Sequence, residues 1–425
     1  MLSSVSKLGK SKGLKSAILM TIGNVGSTGV AAIAMIIFSR QLGPEKFGIF
    51  SVLFSLMLII SRIGDMGINI AVSRAIAQNH ENKAMSLTYA QNGTYLKTII
   101  MAGLVIIGLL TTPFITSTLL GLTTDFMQIV RAVILLSTSV VVYEYINSLL
   151  QARQYFGLSV LTNTVQSTLK LFLALATLVF AGINLNTITV GYMILPLIGA
   201  SVGFVAINVR ELVPRYNPKI VKSIITVARW TSISILASAV AENVDVLIVQ
   251  NYLSTHETGL YAAATRIATV ASLIGWSLGT VLNMRVAKYK DKVNLDRYLK
   301  KGTILAILSL LATIALCIIS YPVVTYTIGP AYLSVIPTLN ILLISTALLT
   351  ATTPFVALFY VFDYPKYFAV SGIITALSLL ITDMILIPVY GLIGAGWARV
   401  ITRLIVGIYT LYVAYTLYRK SYGEK

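Results

Sequence analysis

Residues 40–77 read RQLGPEKFGIFSVLFSLMLIISRIGDMGINIAVSRAIA. A Leu42-Gly43-Pro44 turn opens onto an apolar run long enough to cross a bilayer, and the run closes on Arg74. Inside it stand Arg62 and Asp65, three residues apart and therefore on one helical face. Ionisable groups at that depth cost about 2.5–3.5 kcal/mol on insertion scales, so each needs a reason. Two reasons fit the pair. It either neutralises itself in a packing seam, or Arg62 faces a cavity where guanidinium grips an anion bidentately, with Asp65 setting its rotamer or taking a cation.

The same pattern extends over the whole chain. Of 425 residues, 57% are hydrophobic and 11% charged, and the mean hydropathy is +0.86, which excludes a soluble globule. Apolar runs predict about twelve transmembrane helices, near 16–39, 47–72, 95–118, 126–150, 158–181, 188–208, 225–250, 259–283, 302–325, 332–361, 366–388 and 392–417. The first run is too long for a signal-peptide core and is expected to be retained. Pro337 and Pro354 predict a kink in the tenth. One cysteine, Cys317, and two histidines in separate loops leave no metal or disulfide framework. No P-loop is present, and no cofactor is expected.

Lysines and arginines alternate with the spans: Lys7, Lys10, Lys12 and Lys15 precede the first, the even-numbered loops are basic, and the odd-numbered loops offer Arg40 and Lys46. Both termini and the even loops are therefore expected on the cytoplasmic side of a cell membrane. Anchoring to anionic lipid accounts for most of the formal charge of +18 without invoking nucleic acid.

Leu42–Phe50 (LGPEKFGIF) aligns without gaps to Leu253–Tyr261 (LSTHETGLY), an offset of 211 residues. The same offset places Gly64 on Gly275 and Arg74 on Arg285 at the cytoplasmic helix ends; Tyr155-Phe156 falls on Tyr367-Phe368 at an offset of 212. The expectation is an all-α integral membrane fold of two pseudo-symmetric six-helix bundles, 1–210 and 211–425, around a central cavity.

The stretch 40–77, with its Leu-Gly-Pro turn, Gly-aromatic helix start, Asp65-x-Gly67 and closing Arg74, resembles the oligosaccharide flippase, or polysaccharide export, family of the multidrug/oligosaccharidyl-lipid/polysaccharide (MOP) superfamily. Glu242–Arg266, ENVDVLIVQNYLSTHETGLYAAATR, resembles its counterpart in helices 7 and 8. The resemblance implies a transporter, not an enzyme. It would move a polyprenyl-pyrophosphate-linked oligosaccharide from the cytoplasmic to the outer leaflet by alternating access, its tail remaining among membrane lipids. The rivals are a multidrug/toxin exporter coupled to a cation, a lipid II flippase, and a membrane-embedded glycan polymerase or glycosyltransferase; the external loops, about 4–9 residues long, are too short for the catalytic loop of the last. H+ or Na+ is the candidate coupling ion, glycan-assembly enzymes are candidate partners, and one chain holds both halves and so can act as a monomer.

The candidate substrate-binding residues are Arg62, Asn24, Lys170 and Arg266. Asn24 belongs to a small polar run, Thr21–Gly29, that serves either close helix packing or sugar hydroxyls. Lys170 either meets an acidic group on the substrate or neutralises Glu144. Asp245 and Arg266 sit at similar depth either side of the helix 7–8 turn, which predicts a salt bridge between them. Glu242 is left without an evident partner, and with Asp65 it is the candidate for coupling. Arg74 and Arg285 fit either a substrate role or anchoring; Arg131, Arg229 and Asp383 fall near helix ends and are expected to snorkel.

Overall fold

In the computed structural model, residues 12–180, 184–286, 292–362 and 366–422 are described, and no strand occurs among them. The helices are α1 Lys12–Asp65, α2 Ile68–Gln78, α3 Lys83–Leu110, α4 Met127–Ala152, α5 Phe156–Val179, α6 Leu185–Gly203, α7 Pro218–Tyr252, α8 Thr255–Val286, α9 Lys292–Ile318, α10 Ser320–Thr327, α11 Ile336–Val356 and α12 Lys366–Tyr422. Eight helical stretches among the described residues are long and apolar enough to cross a membrane. Two of these, within α1 and α12, span 47 and 54 residues, enough for two crossings each at 1.5 Å per residue. Each is broken at its turn, α1 by Gly43 (φ 70°, ψ 170°) and α12 by Gly391 (φ 58°, ψ −138°). The helices α5 and α8, 24 and 32 residues long, are also long enough to cross a membrane.

The second expected span has a further break. Met66 and Gly67 take φ of 41° and 76°, and α2 restarts at Ile68. The Asp65 carboxylate accepts the Asn69 N–H at 3.1 Å, which satisfies a donor freed by the break. A side chain at Gly67 would collide with Thr231, so both backbone conformation and close packing demand glycine there.

The chain divides into two compact units. Unit 1 comprises the described residues up to Ala34 and Leu53–Ala239; unit 2 comprises Met35–Val52 and the residues from Val240 onward. The division falls at 239/240, and the 35–52 turn joins the second unit.

Unit 1 is centred on a buried apolar cluster of Ile68, Val72, Tyr145, Ile146, Leu149 and Ile224, drawn from α2, α4 and α7. In unit 2 the 35–52 turn is held by backbone carbonyls at both ends of its surroundings. Tyr332 donates to the Ser39 carbonyl at 2.6 Å, and Arg40 donates to the Tyr326 carbonyl at 2.8 Å. Phe38, Phe47 and Phe50 are fully buried. Within this unit the two copies of the sequence repeat meet at their glycines. A Cβ on Gly48 would strike the Thr255 carbonyl, and one on Gly259 would strike the Pro44 carbonyl. The obstacles are backbone atoms, so only glycine lets the two helix starts approach this closely.

Candidate functional site

Unit 1 resolves its embedded charges into two ion pairs that differ from the expected one. Arg62 pairs with Glu144 of α4 at 3.1 Å, and Asp65 pairs with Lys97 of α3 at 3.0 Å. Arg62 and Asp65 share a helix face but reach to different neighbours. The Asp65–Lys97 pair is buried, with side chains 5% and 6% exposed, and Tyr145 places its ring beneath the Lys97 ammonium. Lys97 falls by sequence beside the expected start of the third span, near 95, and would count with the basic loop residues; it lies fourteen residues inside α3, because that helix begins at Lys83. A lone basic residue looks alike in a loop and in a span until its partner is located.

Arg62 is the more accessible cation, its side chain 39% exposed against 24% for Glu144. Glu144, Asn147 and Gln151 follow at helical spacing on one face of α4, which places an amide and hydroxyl chain on the same face as the pair. Ser159 donates to the Asn147 side-chain oxygen at 2.5 Å, and Gln151 donates to Ser159 at 3.2 Å. Asn147 and Tyr143 both donate to the Asn163 side-chain oxygen, and Asn163 donates to Asn24 at 2.8 Å. Asn24 is thereby joined to α4 and α5. Asn147, Gln151 and Asn163 escaped notice in the sequence because isolated amides in apolar helices carry no spacing signal of their own.

Lys170 of α5 does not neutralise Glu144. Its ammonium lies 4.7 Å from the centre of the Tyr192 ring, while Arg62 takes Glu144. The attraction is that of a cation for the face of an aromatic ring.

Unit 2 carries a second cluster. Asp245 pairs with Arg399 of α12 at 2.5 Å, in place of the expected Arg266. Tyr261 donates to the same carboxylate at 2.5 Å, and Arg399 also reaches the Tyr261 oxygen at 3.0 Å. Equal depth along a hairpin did not decide the pairing, because Arg399 of α12 and Tyr261 of α8 occupy the Asp245 carboxylate. Asp383 of α12 is fully buried, not snorkelling, and neither of its carboxylate oxygens has a hydrogen-bond partner. Asp245 and Arg399 lie within electrostatic range of it. Glu242 is exposed and lies within electrostatic range of Arg403. Arg74, Arg131 and Arg229 are exposed; the side chain of Arg285 lies outside the described residues.

No group of three or more His, Cys, Asp or Glu side chains able to hold a metal occurs among the described residues. The arrangement offers a half-exposed guanidinium paired with a carboxylate, a chain of amides and hydroxyls, and two buried carboxylates near one arginine. Residues 14–283 match the family model described as Polysaccharide biosynthesis protein, well over half of the chain. The chain belongs to this family. Among curated proteins, no sequence matches this polysaccharide biosynthesis protein significantly.

Solved structures show the same fold. The lipid II flippase MurJ in an inward closed conformation aligns with a TM-score of 0.77 at 15% identity, over 95% of this chain and 90% of that one. An inward-facing multidrug resistance MATE family transporter of the MOP superfamily aligns at 0.73 and 15% identity, over 95% and 100%. A MOP superfamily transporter from Pyrococcus furiosus, described as having a binding pocket of reverse polarity, aligns at 0.64 and 14% identity, over 95% and 96%. The family member thus has the MOP superfamily fold of a multi-pass membrane protein.

Proposed function

We propose that this polysaccharide biosynthesis protein is a flippase that carries a polyprenyl-(pyro)phosphate-linked oligosaccharide from the cytoplasmic to the outer leaflet by alternating access. One observation carries the reading: the accessible Arg62 guanidinium is held by Glu144 on the same face of α4 as Asn147, which opens the Asn147–Asn163–Asn24 chain. A charged phosphate linked to many hydroxyls needs both kinds of partner, and fixed guanidinium grips phosphate bidentately. The match to a polysaccharide biosynthesis family supports this reading, as does the shared fold with MurJ, a lipid II flippase. The six-plus-six repeat, cytoplasmic termini and non-enzymatic action belong to this proposal.

The Asp245–Asp383–Arg399 cluster is its candidate coupling site. Asp383, buried without a hydrogen-bond partner, is the member of this cluster that a coupling proton or cation would serve. The same observation favours the second reading, a cation-coupled exporter of the MATE type.

Flipping of a fluorescent polyprenyl-pyrophosphate oligosaccharide in proteoliposomes separates the two. Wild type flips it, whereas folded Arg62→Ala does not; the double variant Arg62→Ala/Glu144→Gln restores charge balance and remains inactive. No flipping by folded wild type supplied with a matched glycan overturns the flippase reading. An Asp383→Asn variant that exchanges a cationic dye as wild type does, with unchanged pH dependence, removes the coupling role.

A further inference from the structure

Once the embedded ion pairs of unit 1 are assigned, one lysine in a span is left without a carboxylate. Arg62 takes Glu144 and Lys97 takes Asp65, while Lys170 lies outside the electrostatic range of every charged side chain among the described residues. Its ammonium faces the Tyr192 ring at 4.7 Å and has no hydrogen-bond acceptor among the described residues. That ring is buried and held in a T-shaped contact with Phe54, 5.5 Å between centres. Snorkelling does not account for the position. Lys170 stands fourteen residues from the start of α5 and nine from its end, about 21 and 14 Å at 1.5 Å per residue, beyond the reach of a lysine side chain. One face of α5 carries Ser159, Asn163, Gln166 and Lys170, spaced four, three and four residues apart. Ser159 and Asn163 belong to the amide chain that joins α5 to α4 and α1. Gln166 and Lys170 continue that stripe, and their side chains make no hydrogen bond to a described residue. Neither the Gln166 amide nor the Lys170 ammonium is sealed off, so the stripe ends in two open, unengaged donors one turn apart.

We infer, resting on the flippase reading above, that Gln166 and Lys170 form a subsite for a carboxylate on the glycan, so that the cargo is an acidic oligosaccharide. A cation in the middle of a span is costly unless it is compensated, and an aromatic face compensates it on one side only. A sugar carboxylate brings the missing negative charge. Being acceptor-only, it takes the Gln166 N–H and the ammonium together, in charge-assisted hydrogen bonds that a neutral hydroxyl does not match. The phosphate end of the cargo does not fill this role: Arg62 is outside the electrostatic range of Lys170, so a diphosphate gripped by Arg62 leaves the lysine uncompensated.

Titration calorimetry on the full chain in neutral detergent compares a soluble oligoglucuronate with a neutral oligoglucoside of equal length, at ionic strength matched with chloride. Wild type is expected to bind the acidic probe at least tenfold more tightly. Lys170→Gln is expected to bring the ratio to about one and Lys170→Arg to retain a preference. Gln166→Glu, which sets a carboxylate one turn from Lys170, is expected to abolish the preference with the lysine still present. Thermal unfolding checks that each variant folds. Equal binding of the two probes by wild type, no binding of either, or a preference kept by folded Lys170→Gln overturns the subsite. Flipping of polyprenyl-pyrophosphate oligosaccharides with and without a glucuronate, in proteoliposomes, separates the subsite from the reading on which it rests. Wild type that flips neither cargo overturns the flippase reading, whereas wild type that flips the neutral cargo as fast as the acidic one overturns the acidic-cargo assignment alone.

Discussion

The buried Asp65–Lys97 pair allows a quantitative test. At 3.0 Å and an effective dielectric constant of about 20, the Coulomb attraction is about 5 kcal/mol, most of which offsets the cost of removing both charges from water. Lys97→Met leaves Asp65 charged and buried, which typically costs about 3–5 kcal/mol; the Asn69 N–H, donated to Asp65 at 3.1 Å, places the expected loss at the lower end, about 3 kcal/mol. Asp65→Asn keeps an acceptor for Asn69 but leaves the ammonium over the Tyr145 ring without its carboxylate, and a similar loss is expected. The double variant Asp65→Asn/Lys97→Met has no unpaired charge and is expected to cost no more than either single. The coupling energy is then about 3 kcal/mol, at the upper end of values measured for residues in contact. Reversible unfolding in mixed micelles with increasing SDS measures all four proteins. Additive single costs, with a coupling below about 0.5 kcal/mol, would refute the assignment of a buried, mutually dependent pair.

Two further outcomes follow from the packing and the electrostatics. Gly259→Ala drives a methyl group into the Pro44 backbone carbonyl and is expected to destabilise by about 1–3 kcal/mol or more, whereas Gly26→Ala, with open space around its Cβ, is expected to be neutral or stabilising; equal thermal stabilities for the two would show that the glycine contact is not tight. Burial pushes the Glu211 carboxyl above its ordinary range, against the opposing pull of Arg153 and the Asn208 N–H. With the folded value raised, the folded state holds the proton more tightly, so Glu211's contribution to stability falls as pH rises from the ordinary carboxylate range through the folded value. Glu211→Gln is expected to flatten that slope between about pH 4 and neutrality relative to wild type, and an unchanged slope in unfolding titrations refutes the shift.

The amino-acid sequence by itself determined the membrane class, the approximate helix positions and the family. These properties depend on the length and apolarity of runs and on turn chemistry at Gly43-Pro44 and Tyr390-Gly391, each local along the chain. It also singled out residues that do carry the charge clusters, Arg62, Asp65, Glu144 and Asp245, because a charge inside an apolar run stands out wherever it points. Tertiary structure decided which charge meets which. Asp65 takes Lys97 and Asp245 takes Arg399, partners 32 and 154 residues away, while the nearer Arg62 and Arg266 do not pair with them. Helical periodicity restricts a side chain to a face, but the helix that covers the face is chosen by packing across the whole unit. The same limit hid the amide chain from Asn24 to Asn147 and the buried Asp383, since each is assembled from helices distant in the chain.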